Sequence, residues 1–190
     1  MKILTIALMA GAVASAFVQA STLAKATVDR PGGQANAAVL ADFSKRVSAY
    51  AELRKGAEKG AAQLEQHRDA AKIEAERLAL AARIRTARAG AKVGDIFTRE
   101  SRAVIKRLLS PQLKGAENKA AIRDDNPGVM KLTVNQPYPK DEPLSTVPPD
   151  ILRVLPMLPA DIEYRFVGKH LILYDNHSGL VVDYIPNAVP

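Results

Sequence analysis

Apolar side chains recur along this chain with two different periods, and the change of period divides it. Between about Asn36 and Ala57, Leu40, Phe43, Val47 and Tyr50 fall at steps of three and four, which is one stripe of a helix. Gly56 and Gly60, in KGAEKGAAQ, lower helix propensity and mark a break or a frayed continuation. From about Leu64 to Gly90 a second stripe runs through Ile73, Leu80, Ile84, Ala87 and Ala91, with Arg77, Arg85, Arg88 and Lys92 offset toward one flank. Two amphipathic helices with a short join predict an antiparallel hairpin, and the alanines of the second stripe let its partner approach closely. In GDIFTRESRAVIKRLLSPQ, Thr98 is placed to cap a third helix. Glu100 lies in its first turn, Lys106 and Arg107 lie in its last, and Pro111 is expected to stop it.

Beyond Pro111 the pattern fades into a polar connection with six prolines from Pro127 to Pro149, and one short strand is expected around Met130–Val134. Pro149 suits the first position of a short helix, PDILRVL, which Pro156 ends. The period then changes to two. Gly168-Lys169 reads as a two-residue hairpin turn, so Val167 pairs with His170. Ile162, Tyr164, Phe166, Leu171 and Leu173 then share an apolar face, while Glu163, Arg165, Val167, His170, Ile172 and Tyr174 share the other. A second turn at Asn176–Gly179, led by Asp175, pairs Asp175 with Leu180 and is expected to bring Val182 and Tyr184 onto the apolar face. The result is a three-stranded antiparallel meander whose apolar face has to be covered by the helices.

The expected fold class is therefore α+β, with an N-terminal helical hairpin and third helix, a Pro-rich connection and a C-terminal β-meander. The expected divisions are 1–20, a leader at 21–35, a helical region at 36–110, the connection at 111–148, and the short helix with the meander at 149–190. Residues 1–20 combine Lys2, an uncharged apolar run from Ile3 to Val18, and small residues at Val18 and Ala20. That is the pattern of a secretory signal peptide cleaved between Ala20 and Ser21, and the run is shorter than the ~20 residues of a membrane span. Ser21–Gln34 is short of large apolar residues and ends its polar run in Pro-Gly-Gly, so a mobile leader is expected there.

Export changes what the charge means. Loss of Lys2 leaves 26 basic against 20 acidic residues, a net charge of +6, and an exported basic protein meets anionic envelope components or acidic proteins before nucleic acid. No aromatic residue interleaves with the arginines to stack bases, which argues further against nucleic acid. Cysteine is absent, so no disulfide framework forms.

The stretch Asp161–Ile185 concentrates the candidate chemistry, with His170, His177, four acidic residues and three tyrosines. Five residues of strand hold the two histidines roughly 17 Å apart, too far to share one metal. His177 with Asp175 supplies two ligands at most, and an exposed turn histidine is expected to be inert. Asp183 is expected on the face of Ile172, paired with Arg165 or Lys169. There is no G-x-S-x-G, H-E-x-x-H, P-loop or G-x-G-x-x-G. Accordingly no catalytic, cofactor-binding or metal-ligating residue is assigned and no cofactor is expected.

The segments GDIF, PYP, LSTVPPDILRVLPMLPADIEYRFVG and LILYDNHSGLVVDYIPNAVP resemble a group of small exported (periplasmic) bacterial proteins of unassigned function, over roughly Gly94 to the end. That resemblance implies an envelope location. The spacing of Tyr164, Gly168, Asp175, Gly179 and Asp183 is also similar to the terminal hairpin of periplasmic proteins linked to nickel and cobalt homeostasis, although the His-rich segments of a metal binder are missing. The expected function is a non-enzymatic envelope binding or accessory role, with a periplasmic metal-responsive protein and a hydrolase as the alternatives.

Overall fold

The first long helix, α1, spans Pro31–Lys59, in a computed structural model that describes residues 31–59, 69–124 and 126–189. The helix starts ahead of the expected boundary, because proline presets the φ of a first helical residue and needs no N–H there. Residues 31–35 of the expected leader are thus helical, while the rest of it and the signal segment lie outside the described residues. Contacts group Ala38–Pro190 into one compact unit and Met1–Ala37 into another. In the larger unit Phe43, Val47 and Tyr50 are buried as their spacing requires, with Leu40 packed against them.

Helix α2, Ala70–Ala87, is capped by Asp69, whose carboxylate accepts from Ala71 N at 3.0 Å. Of its stripe, Leu80 and Ile84 are buried, together with Ala81 beside them, whereas Ile73 is 54% exposed and Ala87 is exposed. The two helices run antiparallel. Arg83 Nε donates to the Ala57 carbonyl at 2.8 Å and Arg88 lies 5.0 Å above the Tyr50 ring, so arginine side chains tie the two helices together beside the buried Ala51 and Ala81.

Helix α3, Arg99–Gln112, has the expected Thr98 cap, which accepts from Ser101 N at 3.2 Å. It passes over Pro111 instead of stopping there. Proline has no N–H to give one turn back, yet the helix continues past it, and Leu113 N reaches Leu109 O at 3.0 Å. The connection then forms a further helix, α4, Ala116–Arg123, with Glu117 in its first turn and Arg123 in its last. Good helix formers with dipole-matched ends outweigh the polar composition that pointed to extended chain.

The strand expected at Met130–Val134 is displaced. Leu132 is buried and Met130 packs beside it as cover for the sheet, and pairing is left to β1, Gln136–Pro137. A short helix, α5, Pro149–Leu152, follows as expected, with Pro149 at its start. Strands β2 (Ile162–Val167), β3 (His170–Asp175) and β4 (Leu180–Ile185) complete a sheet of order β1-β4-β3-β2. Val167 pairs with His170 and Asp175 with Leu180, in the expected register. Gly168 and Gly179, with φ of 56° and 68°, supply the turn geometry that other residues resist.

A register shift between Leu173 and Tyr174 changes the last strand. Beyond it Asp183 pairs with Leu173, Tyr184 with Ile172 and Ile185 with Leu171. Ile185, not Tyr184, therefore joins Val182 on the helix-covered face, because a bulge reverses the alternation. That face carries Phe166, Leu171, Leu173 and Leu180 against Phe43, Ile84, Phe97 and Ile105, with Phe43 and Phe97 stacked at 5.1 Å. The opposite face is buried too, as Val167, Ile172 and Val181 lie under Leu132 and Tyr138 of the connection. No described helix is long and apolar enough to cross a membrane.

Candidate functional site

Tyr50, Arg54 and Glu58 follow one another at steps of four, so one face of α1 carries the apolar stripe onward into polar residues. That face meets the β3–β4 turn. Tyr50 Oη donates to Asp175 Oδ2 at 2.6 Å, and Asp175 also accepts from His177 N at 3.0 Å and Ser178 N at 3.3 Å. Arg54 reaches Asp175 Oδ1 at 3.4 Å, Asp161 Oδ2 at 3.3 Å and the Ala160 carbonyl at 3.4 Å. Asp175 is fully buried, and a buried carboxylate persists only with partners of this kind. Burial and then the charge of Asp175 push the Tyr50 phenol well above its ordinary range, so it stays protonated as a donor.

His177 is half exposed at the rim of this network. Its Nδ1 lies 3.1 Å from Glu58 Oε1 and its Nε2 lies 3.5 Å from Asp161 Oδ1. The turn histidine thus bridges α1 to the loop before β2. His170, at the other end of β3, accepts from Asn187 N at 3.2 Å and packs edge-on against Tyr184. Burial, aided by Lys106, lowers its pKa. Both histidines stand apart, and no group of three or more metal-ligating side chains exists among the described residues.

Asp183 occupies a different place from the one expected. Instead of pairing with Arg165 or Lys169, it is fully buried and accepts N–H bonds from Gly94 at 3.0 Å, Ile96 at 2.9 Å, Phe97 at 2.8 Å and Tyr184 at 2.8 Å. The bulge turns it toward the helix side, where GDIF wraps its carboxylate before α3 begins. Burial raises its pKa, and these N–H bonds pull the other way.

The arginine flank of α2 is divided among structural partners. Arg77 forms a two-point pair with Glu74, and Lys140 joins the same carboxylate at 2.7 Å. The bonds from Arg77 and Lys140 hold Glu74 down at about 2. Arg88 donates to Asn135 Oδ1 at 2.6 Å and to the Val182 carbonyl at 3.2 Å. Arg85 and Lys92 remain exposed.

Beside His177 opens a cleft of about 320 Å³. Ile73, Ala79 and Leu80 give it an apolar lining, and Glu58, Glu76, Arg77, Arg83, Asn176 and His177 border it. The cleft explains why Ile73 of the apolar stripe is exposed. Arg54 was the overlooked residue of the neighbouring network, and its signal was an arginine four positions beyond the buried Tyr50 of a helical stripe. Comparison with protein-family models, with curated proteins and with solved structures finds no match.

Proposed function

We propose that this is an exported, non-enzymatic envelope protein that binds an apolar group of a partner in the cleft between α2 and the β3–β4 turn. The observation that carries this reading is the cleft itself, where the exposed Ile73 stands beside Ala79 and Leu80 and within a rim of polar side chains. An apolar floor with polar groups placed around it to fix orientation is the usual composition of a binding cavity. The buried ionisable groups Asp175, Arg54 and Asp183 are each engaged by donors or acceptors of the fold, which supports a structural role for them.

A photo-crosslinking side chain at Ile73 tests the proposal in cells. The expected result is a defined adduct in the envelope fraction that disappears when Ala79→Trp fills the cleft. The same probe at Val129, which is fully exposed and does not line the cleft, serves as the control. An adduct that survives Ala79→Trp, or that forms equally from Val129, would overturn the reading, as would the absence of any adduct.

A further inference from the structure

The two edges of the sheet are finished differently. At one edge β1 is only Gln136–Pro137, and its proline cannot donate to a further strand. At the other edge β2 carries no proline, lysine or bulge between Ile162 and Val167. The two-residue turn makes Val167–His170 a hydrogen-bonded pair, so Arg165–Ile172 and Glu163–Tyr174 are hydrogen-bonded as well. The even-numbered residues of β2 therefore aim their main-chain groups away from β3. Phe166 is served by Ser145, whose Oγ donates to its carbonyl at 2.7 Å, and Ile162 N donates to Pro159 O. Tyr164, between them, has no outward main-chain partner among the described residues.

Beside this open half of β2 runs a groove of about 490 Å³ bordered by Val147, Leu152, Pro156 and Met157. Met157 is 93% exposed and Leu152 47%, an unusual pair of large apolar side chains left beside an edge strand. The charged residues there are Glu163 and Arg165, which flank Tyr164 and pair with each other.

We propose that the open half of β2 is a self-association surface, on which two copies of the chain pair β2 to β2 in antiparallel fashion about a two-fold axis at Tyr164. The occupant follows from the edge. Unsatisfied main-chain groups at Tyr164 call for another strand, and a two-fold axis through that residue lets its N–H and C=O exchange bonds with those of its mate. The same axis sets Glu163 of each copy opposite Arg165 of the other, so the edge is electrostatically complementary to itself. Pairing stops at Phe166, which Ser145 already occupies. The contact is consequently short, with the apolar surface of Met157 and Leu152 adding to it, and the dimer is concentration-dependent rather than obligate.

Sedimentation velocity of the purified chain across the micromolar range tests this, with circular dichroism confirming that each variant is folded. The parent should pass from monomer to dimer as concentration rises. Arg165→Glu sets like charges opposite each other at both positions and should weaken dimerisation at least about tenfold. Adding Glu163→Arg to it restores opposite charges across the axis and should restore the dimer. A parent that stays monomeric, a dimer indifferent to Arg165→Glu, or a double variant that does not recover would each overturn the proposal. So would a monomeric parent that binds a blocked Ile-Glu-Tyr-Arg-Phe-Val peptide, because the edge would then accept a lone strand and not a second copy.

Discussion

Replacing Asp183 by alanine removes the acceptor that four main-chain N–H groups share. Gly94 and Tyr184 are only partly buried and can turn to water, whereas Ile96 and Phe97 are buried and cannot. Each buried donor left without an acceptor costs about 1–3 kcal/mol, so two of them cost about 2–6. Relief from burying a carboxylate offsets part of that, and the expected net loss is about 3 kcal/mol out of the 5–15 typical of a domain. Asp183→Asn keeps the shape but turns one acceptor into a donor facing N–H groups, with an expected loss of about 1–2 kcal/mol. Urea unfolding followed by circular dichroism gives both values, and hydrogen exchange at the Ile96 and Phe97 amides localises them. If the alanine variant unfolds within about 0.5 kcal/mol of the parent and those two amides stay protected, Asp183 is not the clasp of the GDIF loop.

Two further outcomes follow from the same contacts. Phe166 is wholly buried against the helices, so Phe166→Ala should cost about 3–5 kcal/mol in the same urea assay, while His177→Ala, half exposed beside Glu58, should cost no more than about 1. Glu74 is held down at about 2 by Arg77 and Lys140, so its stabilising contribution is present above the ordinary carboxylate range near 4.5 and is lost as pH falls toward 2. Melting temperature measured across that window should fall less steeply in Glu74→Gln than in the parent, and identical slopes would count against the pair.

The meander was legible because its information is local. A glycine-led two-residue turn fixes the register, and alternation then assigns each side chain a face, which is why Val167–His170 and Asp175–Leu180 came out paired as expected. Asp183 and Tyr184 escaped because one bulge shifts the alternation, and no residue type near Leu173 announces it. The second buried face was hidden for a similar reason. Leu132 and Tyr138 sit in a stretch without periodicity, and what they cover depends on the path of the chain rather than on spacing. Helix α4 was legible in principle, since its dipole-matched ends were in plain view at Glu117 and Arg123, but proline content nearby drew the reading toward extended chain. At the candidate site the stripe placed Tyr50, yet its bond to Asp175 joins residues 125 positions apart, and no local pattern encodes such a pair.

That long span also sets the order in which the molecule can be completed. A ribosome releases α1 before the sheet, when Phe43 and Val47 have no sheet to settle on and Arg54 can reach Glu58 of its own helix but neither Asp161 nor Asp175. Only when the final hairpin follows, with Asp175 and Asp183, does the chain acquire both the floor of its core and the two anchors that fasten the helices to it. Docking of the helices therefore waits for β4, because a chain that lacks Leu180–Ile185 lacks both the strand and the Asp183 carboxylate that fasten them.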